Sequence, residues 1–272
     1  MKEIQGYFDV LQSKLQSCMQ TQKEAIDQAA DMIVDSFLKG GRFYAFGTGH
    51  SHLIVEELYT RAGGLAFVKP ILPTEMMLHE MPTKSSALER LPGYAKAILD
   101  LYPVEENDVF LIISNSGRNS APVEMAMEAK KRGAKVICMT SMKHSSQVTS
   151  RQKDGLKLYE VSDLVLDNQA EYGDAAYYVG QSNIPVAGTS DFIGIAIVQT
   201  MTVAIAAKLD AKGEEIPVFR SGNIDGSEEF NHKLHMKYVN AYNEFLAISI
   251  TDSFISGFRL GARFTYDTFV DG

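Results

Sequence analysis

The sequence predicts an α/β fold, a parallel sheet with helices packed on both of its faces. Three observations predict it. Short apolar runs rich in β-branched residues alternate with stretches of helical periodicity. The best-defined helical stretch has its start and stop residues in place, with Pro122 in the first turn and Gly133 just past the end. Three of the apolar runs break off into loops of glycine, serine and threonine, where ligands sit in doubly wound sheets.

The elements follow in chain order. Residues 3–38 read as a long, mostly helical segment with an apolar stripe at Tyr7, Leu11, Leu15, Cys18, Met19, Ile26, Ala30 and Ile33. Such a stripe is a packing or dimer face. Strands are expected at 42–46, 66–72, 108–113, 135–140 and 164–167, with helices over 51–62, 84–101 and 120–132 between them. The apolar stretch 192–209 is interrupted by Gln199, Thr200 and Thr202 and lacks flanking basic loops, so it reads as a buried core helix and not a membrane span. An extended loop and a helix from about Glu228 come next. Residues 246–272 carry Phe254, Phe258 and Phe264 near helical spacing, with Gly257, Gly261 and Ala262 allowing close approach, and read as a C-terminal helix. The expected division is 1–245 for the main domain and 246–272 for a tail with no assigned chemistry.

Composition narrows the class. A chain of 272 residues fits one large α/β domain with an appendage. A net charge of −8, with no Lys/Arg run that stands out, argues against a nucleic-acid partner. Cys18 and Cys138 stand far apart, which suits a reduced, cytoplasmic setting. The start, MKEIQGYFDV, carries acids and no apolar core, so no signal peptide is expected.

Three loops carry the chemistry. They are Gly47-Thr48-Gly49-His50-Ser51-His52, then Ser114-Asn115-Ser116-Gly117-Arg118-Asn119-Ser120 opening the 120–132 helix, then Thr140-Ser141. Hydroxyls and backbone amides at a helix N-terminus suit a phosphate, because the dipole favours negative charge and the hydroxyls donate to its oxygens. A single loop of this kind is more simply a helix cap. Three converging on one sheet edge favour a ligand. A dinucleotide fingerprint is a poor fit, since His52 stands where a third glycine belongs, and no G-K-[ST] of a Walker loop exists. The loops ask for a phosphomonoester on a small molecule.

GTGHS (47–51) resembles the G-x-G-x-S loop, and SNSGRNS (114–120) the S-x-S-G loop, of the SIS (sugar isomerase) family of phosphosugar-binding domains. EAKKRGAKVICMTS is similar to that family's helix-then-strand step. EELYTRAGGLA, ERLPGYA, SNSGRN, GDA and SGNIDG, in this order, resemble a bacterial branch of phosphosugar or phosphoheptose isomerases. The resemblance spans about residues 2–243 and leaves out the tail. It implies a flavodoxin-like, three-layer α/β/α sandwich with a five-stranded parallel sheet and a sugar-phosphate ligand. It also implies homodimers or homotetramers with active sites near subunit interfaces. By position it assigns the phosphate to Ser114, Ser116, Asn119 and Ser120, with Asn115 and Gly117 in the same loop. Gly47, Thr48, Gly49 and Ser51 would contact sugar and phosphate.

Aldose–ketose isomerisation needs a base to move a proton between C1 and C2, and a group to open the ring. Glu56 and Glu57 lie on the helix after the first loop, and the resemblance implies Glu57 as the base, with His50 or His52 assisting. Thr140, Asp174 and Asp191 would line the same pocket. The chain departs from the branch at Thr189-Ser190-Asp191, where Ser-Thr is expected, and near Gln152, where histidine is expected. A zinc site of the phosphoheptose isomerase type is not expected, because Leu53 replaces its first histidine and 192–209 contains none. The stretch 221–232 lacks glutamate at its twelfth position, His232, and so is no calcium loop. The reading calls for no metal and no cofactor. The function expected is a sugar-phosphate isomerase acting through an ene-diol. An amino-sugar-phosphate etherase (a lyase) and a non-catalytic phosphosugar sensor are the alternatives.

Overall fold

The five apolar runs form one parallel sheet in the computed structural model, which describes residues 2–240. Two helices precede it, α1 (Lys2–Thr21) and α2 (Lys23–Leu38). The continuous helix expected over 3–38 is broken at Gln22, whose side chain leaves the helix to accept a hydrogen bond from the Asp167 amide at 2.9 Å. A tertiary contact, invisible in the periodicity, sets that break.

Strand β1 (Phe43–Gly47) is buried at every position, and α3 (Ser51–Leu58) follows it. The helix expected to reach residue 62 stops at Leu58, where Tyr59 turns extended and Thr60 adopts a positive φ. After β2 (Val68–Ile71) the helix expected over 84–101 is two, α4 (Pro82–Arg90) and α5 (Tyr94–Leu99). Proline at 92 disfavours helical backbone at Leu91, which is extended, and Gly93 turns the chain. Strand β3 (Val109–Ile113), α6 (Ser120–Lys131), β4 (Lys135–Thr140), short helices α7 (Met142–Ser145) and α8 (Leu158–Val161), and β5 (Leu164–Asp167) complete the sheet. An antiparallel hairpin, β6 (Ala175–Tyr178) and β7 (Pro185–Gly188), follows that the sequence reading missed. Its weak alternation, with β6 mostly half-buried and β7 exposed, gave no strand signal.

The strand order is β2-β1-β3-β4-β5, with Phe43 beside both Val68 and Val109, and Val109 beside Lys135. This is the doubly wound order whose direction reverses between β1 and β3, and in such sheets ligands bind beyond the carboxyl ends of the strands at that point. Burial on both faces explains why β1 and β3 read as unbroken apolar runs. Helix α9 (Ser190–Ala211) is long and apolar enough to cross a membrane, yet it packs against α2 and α3, with Gly194 in close contact with Ile54.

The chain divides into two compact units, Met1–Ser221 and Gly222–Gly272. In the second, α10 (Ser227–Leu234) continues into a π-helical turn at His235–Asn240, with Lys233 paired to Glu229 at 2.7 Å. The expected boundary at 245/246 and the tail at 246–272 lie outside the described residues.

Candidate active site

Gly47 ends β1 because nothing larger fits. A Cβ there would stand 2.6 Å from the Ser51 carbonyl oxygen and 3.1 Å from the His52 amide nitrogen, both backbone atoms. The first turn of α3 therefore lies directly on the strand end. Thr48 is buried, and its hydroxyl donates to Glu89 Oε1 of α4 at 2.9 Å. The Gly49 amide donates to the Met76 carbonyl at 3.1 Å, and the Gly49 carbonyl accepts from His52 Nδ1. His52 is buried with Nε2 3.8 Å from Glu56, whereas His50 and Ser51 stand at the open start of α3.

The second loop begins α6. Ser114 Oγ accepts from the Gly117 amide at 3.2 Å, and the buried Thr140 hydroxyl donates to the Asn115 carbonyl at 3.1 Å. Asn168 holds the Asn115 side chain at 3.1 Å. Ser120 Oγ reaches the Arg151 carbonyl at 3.5 Å. Ser116 is half-buried, and among the described residues its hydroxyl makes no hydrogen bond. Asn119, at the cap position of α6, makes no capping bond and instead accepts from Arg151 Nη1 at 3.0 Å. The amides of the α6 first turn are thus left without a side-chain cap. Uncapped starts also occur at α3, α4 and α10, so the hydroxyls gathered in this loop, and not the missing cap, distinguish it.

The sequence reading passed over Arg118 and Arg151. The Arg151 amide donates to the Arg118 carbonyl at 2.7 Å, so the two residues flank Asn119. Arg118 Nη2 donates to Thr149 at 3.1 Å, while its Nε is buried without a partner. Burial, then the charges of Arg118 and Arg90, lower the pKa of the Arg151 guanidinium, and Glu89 opposes them. Two guanidinium groups thus flank an uncapped helix start. The signal was present as the arginine inside SNSGRNS, but Arg151 comes from a turn distant in sequence.

Further round, His144 of α7 accepts from the Gly173 amide at 2.9 Å and stacks on Tyr172. Burial and then Arg118 lower its pKa, and Asp174 opposes them. Asp174 accepts from the Thr189 amide at 3.0 Å, the Ser190 amide at 2.9 Å and the Ser190 hydroxyl at 2.7 Å, and so caps α9. Its carboxylate is committed to that helix. Asp191 is half-buried; burial raises its pKa, His50 and His52 oppose the rise, and Asp174 adds to it. Thr48 hydrogen-bonds Glu89, and the charges of Glu89, Arg118, Asp174, His50 and His52 act on Arg151, His144 and Asp191, so these groups form one electrostatic set.

Glu57 is not among these groups. Its carboxylate pairs with Arg61 and accepts from Gln199 of α9 at 2.9 Å. It sits six residues into α3, roughly 9 Å along the axis from Ser51. Among the described residues, no group of three or more His, Cys, Asp and Glu could hold a metal ion.

The SIS domain family matches residues 6–141. A UPF0309 protein of Halalkalibacterium halodurans is 51% identical over 233 residues, covering 86% of this chain and 95% of its own. A UPF0309 protein of Geobacillus thermodenitrificans is 40% identical over 235 residues, covering 86% and 94%. Among solved structures, the phosphoheptose isomerase of Neisseria gonorrhoeae superposes with a TM-score of 0.52 at 16% identity, over 76% of this chain and 98% of that one. At that identity the likeness speaks for the shared fold.

Proposed function

The chain belongs to the SIS domain family, and on that premise we propose that it is a sugar-phosphate isomerase acting by proton transfer through an ene-diol. One observation carries the reading. The uncapped start of α6, with the free hydroxyl of Ser116 and the guanidinium groups of Arg118 and Arg151 beside it, stands at the point where the strand order reverses. A phosphomonoester dianion matches those two charges and accepts from Ser116 and from the α6 amides. Seated there, the phosphate directs the sugar toward Thr48, His50 and Asp191. A histidine and a carboxyl whose pKa burial raises can exchange a proton with the ring oxygen and open the sugar.

Assembly and location extend the proposal. Ile4, Phe8, Leu15 and Met19 of α1 are exposed, and an apolar groove of about 520 Å³ lies between α1, α2 and α9. These support a homodimer or homotetramer built through α1. Cys18 and Cys138 are free and buried, which supports a cytoplasmic setting.

Thermal-shift screening with sugar phosphates of five to seven carbons tests the ligand class. A ligand at a hundred times its Kd adds about 2.7 kcal/mol of stability. Ser116→Ala removes a hydrogen bond to a charged group, about 1.5–3 kcal/mol, and should weaken calorimetric affinity roughly 10- to 150-fold. An unchanged Kd refutes the phosphate assignment. Failure of wild type to exchange the C2 proton of any sugar phosphate that it binds refutes isomerisation and favours a sensor or a lyase.

A further inference from the structure

We infer that Glu89 of α4 is the carboxylate that moves the proton between C1 and C2, an assignment that rests on the isomerase reading. The sequence pointed to Glu57, but Glu57 is tied to Arg61 and to Gln199 at 2.9 Å, away from the loops. Glu89 is one hydrogen bond from the first loop, its Oε1 accepting from the buried Thr48 hydroxyl at 2.9 Å. Helix α4 is fixed in that position. Ser85 Oγ donates to the Met76 carbonyl at 2.6 Å, and the Gly49 amide donates to the same oxygen at 3.1 Å. One carbonyl therefore binds both the helix that carries Glu89 and the loop that would hold the sugar. The Glu89 charge also acts on Arg151, which hydrogen-bonds Asn119 of the second loop at 3.0 Å.

The step balances without a redox partner. Glu89 takes the proton from C2 of the open-chain aldose, and the C–H electron pair becomes the C1–C2 double bond. The C1 carbonyl oxygen gains a proton from a histidine of the first loop, giving the ene-diol. The C2 hydroxyl then gives its proton back to that histidine, the C2 carbonyl forms, and Glu89 returns its proton to C1. Thr48 positions the carboxylate by its hydrogen bond.

Glu89→Gln separates this role from a structural one, because the amide oxygen still accepts from Thr48 while the group no longer takes a proton. With an aldose phosphate that wild type binds and exchanges in deuterated water, Glu89→Gln should keep its Kd within about threefold. It should lose C2–H exchange by roughly 10²- to 10⁴-fold. Glu89→Ala should lose exchange similarly and recover part of it on addition of formate. Wild-type exchange in Glu89→Gln overturns the assignment, as does loss of binding together with exchange, which marks Glu89 as a clamp only. Full exchange in Glu89→Gln with loss in Glu57→Gln would return the role to Glu57. In each of these cases the isomerase reading survives. Absence of exchange in wild type overturns both.

Discussion

Gly117→Ala tests whether the second loop holds its shape by close packing. Gly117 has φ of +57°, a left-handed conformation that costs an L-residue roughly 1–2 kcal/mol. An added Cβ would meet Ser145 Oγ at 3.1 Å, Thr140 Oγ1 at 3.2 Å and Leu158 Cβ at 3.3 Å. Each neighbour must give by a few tenths of an ångström, which adds roughly 1 kcal/mol, the low end of overpacking costs. The sum is about 2–3 kcal/mol. For a unit of this size, about 2–4 °C per kcal/mol converts that to a fall in Tm of about 4–12 °C. Gly155→Ala is the control, since Gly155 has φ of +74° and nothing within 4 Å of its would-be Cβ. It should show the backbone cost alone, roughly 1–2 kcal/mol. Urea unfolding of the two variants reads the difference, and calorimetry with a sugar phosphate reads the site. The Gly117 amide donates to Ser114 Oγ and its carbonyl accepts from the Leu158 amide at 2.9 Å, so moving it disturbs the hydroxyls of the proposed phosphate site. Affinity should fall at least about tenfold in Gly117→Ala and not in Gly155→Ala. Equal stability losses in the two, within about 0.5 kcal/mol, or an unchanged Kd in Gly117→Ala, would refute the packing argument.

Two other outcomes are expected. Burial raises the Asp191 carboxyl above its unfolded value, so the native state holds the proton more tightly, and stability falls as pH rises from the unfolded pKa through the raised folded one. Asp191→Asn should therefore be more stable than wild type at neutral pH, with the gain vanishing below the unfolded carboxylate range near 4; urea midpoints across pH measure it. Light scattering at micromolar concentration should report a dimer or larger, and Phe8→Glu on the exposed face of α1 should shift it toward monomer.

The sequence by itself determined the fold class and the two loops. Strand burial on both faces writes itself as apolar runs, and each of the five expected runs overlaps an observed strand within two residues at each end. Gly47 and Gly117 were legible because backbone geometry restricts which residue fits. Pro122 and Gly133 bracketed α6 for the same local reason. Pro92 and Gly93 also signalled the break between α4 and α5, a turn cue that the helical pattern masked. Tertiary structure alone decided the rest. Glu57 and Glu89 are equally plain as glutamates on helices; only packing turns one toward Gln199 and sets the other against Thr48, 41 residues away. Arg151 joins Asn119 from 32 residues downstream, and Asp174 caps a helix that starts 16 residues later. Periodicity and turn chemistry act over a few residues and are written in the chain. The partners of a charged side chain are set by which loops the sheet order brings together, and that exists only once the strands have paired.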